Sequence, residues 1–241
     1  MFTKSKKLMT SIVMMLVLPL AGCWEHGEEG KPEPIASSST PSSDFLYMDG
    51  STVPFSKLYD DVGKKNLDMT SFHISMTTKS RTNDQNKISI TEADIDRTRP
   101  ESVKMHIITS GDSPTEIISI GSDTYIKHNG AWEKTDGVIP EINLNTSASF
   151  FTDLKSKSDA VKKVTYVGHD DNGHHFVLLL DIDKLLGEEN TYGTTNVDFW
   201  VDDALRMTRQ VIVLKTSHGS STLTTEQSKF GVPVNIVAPK K

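Results

Sequence analysis

The chain has 241 residues, of which 36% are hydrophobic and 24% charged, with a single cysteine and a formal net charge of −6. That composition is within the range of a globular protein and excludes a disulfide scaffold, a collagen-like fibre and a multi-cysteine zinc module. The acidic balance also argues against nucleic acid as a partner, because phosphate binding needs concentrated positive charge.

Lys4, Lys6 and Lys7 precede an apolar run from Leu8 to Leu20. A run of that length is too short to cross a bilayer core of ~30 Å as a helix, and it reads as an export signal. It ends in Leu20, Ala21, Gly22 and Cys23, which resembles the lipobox of bacterial lipoproteins, with the only cysteine at the position that is modified. The resemblance implies that residues 1–22 are a lipoprotein signal peptide and that Cys23 becomes the N-terminus, carrying a thioether-linked diacylglyceryl group. Losing those 22 residues and their three Lys takes the net charge from −6 to −9. One acyl chain contributes ~0.8 kcal/mol per buried methylene and holds only marginally, whereas two or three on one residue anchor stably. The expected location is the extracytoplasmic face of the cell membrane, lipid-anchored and not spanning. Residues 23–44 hold the lipidated Cys and a tether: Trp24 to Asp44 contains three Pro, two Gly and five Ser, and as a coil reaches roughly 25 Å. The remainder, 45–241, is one domain.

The first element is a helix, with Ser51 or Thr52 as a cap, Pro54 in its first turn, and Phe55, Leu58, Tyr59 and Val62 on one stripe. Phe72, Ile74, Met76 and Thr78 then alternate with polar residues, the signature of a half-buried strand. Ile88 and Ile90 lie in one phase and Ala93 and Ile95 in the other, which predicts a bulge between them. Val103, Met105 and Ile107 follow after Pro100, and Gly121-Ser122-Asp123 and His128-Asn129-Gly130 mark hairpin turns. Between 140 and 163 the period-2 pattern breaks. Phe150, Phe151, Leu154, Ala160 and Val161 there fit one or two short helices with Lys155, Lys157, Lys162 and Lys163 outward. Strands return at Val164–His169, Phe176–Asp181, Asn196–Asp202, Arg206–Leu214, Thr222–Gln227 and Val234–Val237, with a helical turn at Asp183–Glu188. About ten strands and three helical pieces result, an antiparallel meander.

Four groups invite chemistry. His169, Asp170, Asp171, Asn172, Gly173, His174 and His175 contain metal-ligand types, but Asp-Asn-Gly between two strands is a hairpin signal, and no metal site is expected. Gly111-Asp112-Ser113 has the nucleophile pattern of some esterases without the strand-turn-helix context, so Ser113 reads as part of a turn. Asn145-Thr146-Ser147 reads as a helix start, and the lysines between 155 and 163 as a solvated face with affinity for anionic headgroups as the alternative. No catalytic residue and no cofactor is expected.

The stretch Val197-Asp198-Phe199-Trp200-Val201-Asp202 with Arg206 after it, and the close Lys229-Phe230-Gly231-Val232-Pro233-Val234-Asn235-Ile236, together with the lipobox, the Ser-rich tether and Ile118-Ser119-Ile120-Gly121-Ser122, resemble the LppX/LprA/LprF/LprG lipoprotein family of actinobacteria. The resemblance covers nearly all of 45–241. It implies an α+β fold similar to LolA and LolB: a strongly curved antiparallel sheet, a half-barrel, with helices on its concave face enclosing an apolar cavity. It further implies a non-enzymatic carrier that binds acylated lipids or glycolipids and moves them across the cell envelope, in partnership with the membrane and with a membrane lipid transporter. The alternative is an envelope sensor or scaffold of the same fold. A sheet of about ten twisted strands curls, and too few helices follow to fill its inner face. The expected lining is Phe72, Ile74, Met76, Met105, Ile107, Ile118, Ile120, Phe150, Phe151, Leu178, Leu180, Phe199 and Val201, with Phe176 to Leu180 covered on both faces.

Overall fold

The structure, a computed structural model, describes residues 46–82, 85–98, 104–111, 114–135, 147–187, 192–216 and 219–240. The signal peptide, Cys23, the tether and Ser113 lie outside these. Within them the protein is mostly β, with a few short helices. Eleven strands form one antiparallel sheet: β1 (Ser71–Thr82), β2 (Gln85–Asp96), β3 (Lys104–Ser110), β4 (Thr115–Ile120), β5 (Asp123–His128), β6 (Ala131–Thr135), β7 (Val161–Asp170), β8 (Gly173–Asp181), β9 (Thr194–Val201), β10 (Met207–Thr216) and β11 (Gly219–Ser228). The sheet order is β6-β5-β4-β3-β2-β1-β11-β10-β9-β8-β7. The chain therefore starts in the middle, meanders out to β6, crosses to the opposite edge and meanders back until β11 pairs with β1. That pairing joins two meanders, running from His73 opposite Ser228 to Thr82 opposite Gly219.

The helices are α1 (residues 55–67, α turns Phe55–Leu58 and Lys64–Leu67 around a π segment Tyr59–Gly63), α2 (Ser147–Ser156) and α3 (Ile182–Leu186). A 3₁₀ turn, Ser158–Ala160, follows α2. Pro54 occupies the N-cap of α1 and no side chain caps it. Ser51 and Thr52 serve the sheet instead. Thr52 bridges Thr165, Val53 N–H donates to Val164 carbonyl at 3.0 Å, and Tyr166 N–H donates to Ser51 carbonyl at 3.0 Å. The segment before α1 thus covers the otherwise open edge of β7.

Four local expectations change. The sheet has eleven strands among the described residues rather than ten. The bulge expected in β2 is absent, since β2 pairs with β1 in unbroken register from Ser71–Asp96 to Thr82–Gln85; irregularities fall in the β7–β8 and β9–β10 pairings instead. Val161 opens β7 and does not extend a helix, so Lys162 and Lys163 are strand residues. Val234–Val237 is irregular chain.

Two of the sequence phrases meet in space. Asp202 follows β9, and its carboxylate accepts from Ala204 N–H at 3.0 Å, Arg206 N–H at 2.9 Å and Arg206 Nε at 2.8 Å, closing the turn into β10. The Arg206 guanidinium then lies over the Phe230 ring, 4.6 Å from its centroid. Gly231 N–H donates to Ser71 carbonyl, and Ser71 Oγ to Val232 carbonyl, so the closing segment is fastened across the start of β1.

Candidate functional site

The register decides which side chains share a face. Phe176 pairs with Phe199, Phe199 with Gln210, Gln210 with Thr225 and Thr225 with Met76, so all five lie on one face of the sheet. All three helices pack on that face at its β7–β10 half. Leu58, Tyr59 and Val62 of α1, Phe150, Phe151 and Leu154 of α2 and Ile182 of α3 form one cluster with Val164, Tyr166, Phe176, Leu178, Leu180, Val197, Phe199, Val201 and Met207. Phe176 and Phe199 stack at 5.1 Å, and Phe151 meets Phe199 edge-on at 5.9 Å. The expected lining residues Phe150, Phe151, Leu178, Leu180, Phe199 and Val201 are therefore brought together here. On the reverse face of β8, Val177 and Leu179 are only half-buried.

A second cluster occupies the same face at the β1–β4 half. Phe72 pairs with Ile95, Ile74 with Ala93, Ala93 with Ile107 and Ile107 with Ile117, and these join Met69 and Met76. Met105, Ile126, Leu223 and Phe230 are half-buried around it. Phe72, Ile74, Met76, Met105 and Ile107 of the expected lining thus gather a second time. Ile118 and Ile120 do not join them: they pair with His106 and Lys104 on the reverse face, where Ile118 is buried and Ile120 half-buried. The segment Ile117-Ile118-Ser119-Ile120 offers an apolar residue in both phases, and only pairing with Ile107 selects Ile117.

Between the clusters runs a buried polar seam, Gln210 of β10 with Thr225 and Gln227 of β11, exposed by 1%, 1% and 4%. Thr225 Oγ1 has no hydrogen-bond partner among the described residues. One pair along from the seam the face is apolar again: Ile212 pairs with Leu223, both half-buried, the former packed on the first cluster and the latter on the second. The seam escapes a sequence reading because a glutamine or threonine in a strand is normally assigned to the wet face.

The histidine-rich stretch forms the expected β7–β8 turn, and its residues divide between the faces. On the reverse face, His175 stacks on Trp200 at 4.3 Å with Nε2 2.9 Å from Asp198, while Trp200 Nε1 donates to Asp170 at 2.8 Å. Burial raises the Asp170 carboxyl, but the Trp200 and Asn172 donors outweigh it and hold it below the usual range. On the helix-bearing side, His174 is buried, its Nδ1 3.0 Å from the Tyr166 hydroxyl and its Nε2 3.2 Å from Asp203. Burial holds the His174 imidazole below its ordinary value against the pull of Asp203. His169 faces it across the hairpin, ring centroids 4.8 Å apart. Asp203 comes from the β9–β10 turn, and nothing in the sequence links it to the two histidines. Gly173, with φ of +117°, makes this approach possible: a Cβ there would lie 2.5 Å from the Val201 carbonyl oxygen.

Three of the four lysines near α2 are engaged within the protein. Lys155 lies 4.4 Å from the Tyr59 ring centroid, Lys157 donates to Leu185 carbonyl, and Lys162 pairs with Asp181 at 3.2 Å.

No protein-family model matches the chain, and no curated protein sequence does. Solved structures do. LprF from Mycobacterium bovis matches with a TM-score of 0.54 at 19% identity, over 80% of this chain and 100% of that one. Lipoprotein LppX from Mycobacterium tuberculosis matches with a TM-score of 0.50 at 15% identity, over 76% and 98%. Identity this low shows a shared fold, and it is the fold to which the sequence phrases point. No helix among the described residues is long and apolar enough to cross a membrane.

Proposed function

We propose that this chain is a lipoprotein anchored through Cys23 at the extracytoplasmic face of the cell membrane, which binds acylated lipids or glycolipids on its helix-bearing face and carries them across the envelope. One observation supports the reading most. Among the described residues, the core clusters on that face take apolar side chains from every strand but β6, yet every helix residue in them belongs to the first cluster. The sheet curls around this face as a half-barrel, and an acyl chain lies along the second cluster, entering where Ile212 and Leu223 remain half-buried. Each Å² of apolar surface it withdraws from water contributes ~25 cal/mol. The seam of Gln210, Thr225 and Gln227 gives the ester or sugar portion of such a ligand something to hydrogen-bond. A carrier needs affinity balanced against the bilayer, since a pocket that held lipid too well would not deliver it. The shared fold with lipoprotein LppX agrees with this reading; fold alone does not assign it.

The test is mass spectrometry of organic extracts from unacylated protein, exported without Cys23. Acylated lipid should copurify, and Leu223→Trp, which fills the half-open strip, should deplete it while leaving the thermal midpoint within a few degrees. Wild-type protein free of lipid would sink the carrier and favour the sensor or scaffold.

A further inference from the structure

We propose that His169, His174 and Asp203 form a binding site for one divalent transition-metal ion, with zinc the best match to their donors. One ligand atom from each residue lies within 4.8 Å of the other two. Two imidazole nitrogens and a carboxylate oxygen suit Zn²⁺, which takes three protein ligands and leaves a fourth position for water. Zinc–nitrogen bonds of about 2.0–2.1 Å in tetrahedral array require ligand atoms about 3.4 Å apart. The widest separation must therefore contract by roughly 1.4 Å, which the exposed side chains of His169 and Asp203 can supply while buried His174 stays fixed.

Three features distinguish this group from a chance surface cluster. The backbone holds it, since His169 and His174 are a cross-strand pair and His174 pairs with Val201, two residues before Asp203. The Tyr166 hydroxyl stands at His174 Nδ1, the outer-shell partner that fixes a ligating histidine with its other nitrogen toward the ion. Three neighbouring carboxylates are committed elsewhere: Asp202 to Arg206, Asp198 to His175 and Asp170 to Trp200. The His169 side chain makes no hydrogen bond to another described residue, and its ring meets that of His174. A bound ion would staple the β7–β8 hairpin to the β9–β10 turn at the end of the first cluster, independently of any lipid.

The experiment uses the full chain in detergent, stripped by chelator and titrated calorimetrically with zinc sulfate, with metal content measured by atomic emission. One equivalent should bind and raise the thermal midpoint. Cobalt in its place should give the visible bands of a tetrahedral site. His169→Ala and Asp203→Asn change exposed side chains and should fold normally. Each should weaken zinc binding by more than about tenfold and abolish the rise in midpoint. No saturable binding would overturn the proposal. So would binding that survives both substitutions, since the ion would then sit elsewhere, for example at His26 with Glu25 and Glu28.

Discussion

Asn66 shows how much one side chain can hold. It is fully buried at the end of α1, its Nδ2 donating to Val62 carbonyl at 2.7 Å and Leu205 carbonyl at 3.1 Å, its Oδ1 accepting from Met207 N–H at 2.8 Å. Leucine has the same branched outline, is bulkier and makes none of these bonds. Asn66→Leu would strand a buried N–H and a buried carbonyl at the start of β10, each costing about 1–3 kcal/mol. The expected loss is about 2–4 kcal/mol in urea unfolding at unchanged slope, and a loss below about 0.5 kcal/mol would mean the turn repacks around water. Asn66→Asp should be worse, since a carboxylate would face two carbonyl oxygens. None of this is legible in Lys65-Asn66-Leu67, where an asparagine reads as the outward side of a helix. Its partners lie 139 and 141 residues away. Asp203 escaped notice for the same reason. Sequence spacing reports neighbours along an element, whereas both residues act on elements that only the sheet order brings near.

At the scale of elements, alternation is a good guide to where strands run and a weaker one to which face is buried. Ile88 and Ile90 in β2 are out of phase with Ala93 and Ile95, and the rule that one face is apolar turns that into a bulge. β2 is continuous, and these two isoleucines stand on the reverse face, 58% and 39% exposed, where β2 extends to and past the end of its pairing with β3 at Ile90. The reverse face has its own adhesive. Glu116 of β4 takes His106 of β3 at 2.9 Å and Lys127 of β5 at 2.7 Å, tying three strands. Lys127, and then His106, hold the Glu116 carboxyl below its usual range. A depressed carboxyl contributes its stability in full above the unfolded value of about 4.3, and loses it as pH falls through the folded value. Glu116→Gln should therefore cost up to about 1 kcal/mol at pH 7. The gap from wild type should close in acid, where both side chains are neutral. Thermal unfolding at pH 7 and at pH 3 decides it, and a gap unchanged at pH 3 would assign the effect to packing.

For the whole molecule, the meander was legible but its closure was not. Hairpin turns announce that β2 follows β1 or that β8 follows β7, while nothing local announces that β11 returns to β1, because that register rests on both strands being flanked already. The closure places the buried polar seam between two apolar clusters, and this division makes a prediction about cooperativity. Leu154 in the first cluster and Ile107 in the second are both fully buried. Leu154 lies on α2, in the cluster built on β7 to β10, and Ile107 lies on β3, and the two clusters have no residue in common. Leu154→Ala should cost about 2–5 kcal/mol and Ile107→Val about 0.5–1.5 kcal/mol. In lipid-free protein the double variant should equal their sum within about 0.5 kcal/mol, because the two sites share no neighbour. Coupling well beyond that would mean one undivided core across Gln210, Thr225 and Gln227. Lipid should change the outcome. A ligand stabilises only the state that binds it, and one that lies along the second cluster and reaches Ile212, which packs on the first, touches both, so damage to either weakens the same binding term. Sites that are additive when empty should then become coupled when loaded. Denaturation of the four proteins with and without bound lipid measures this, and additivity in both states would confine the ligand to one cluster.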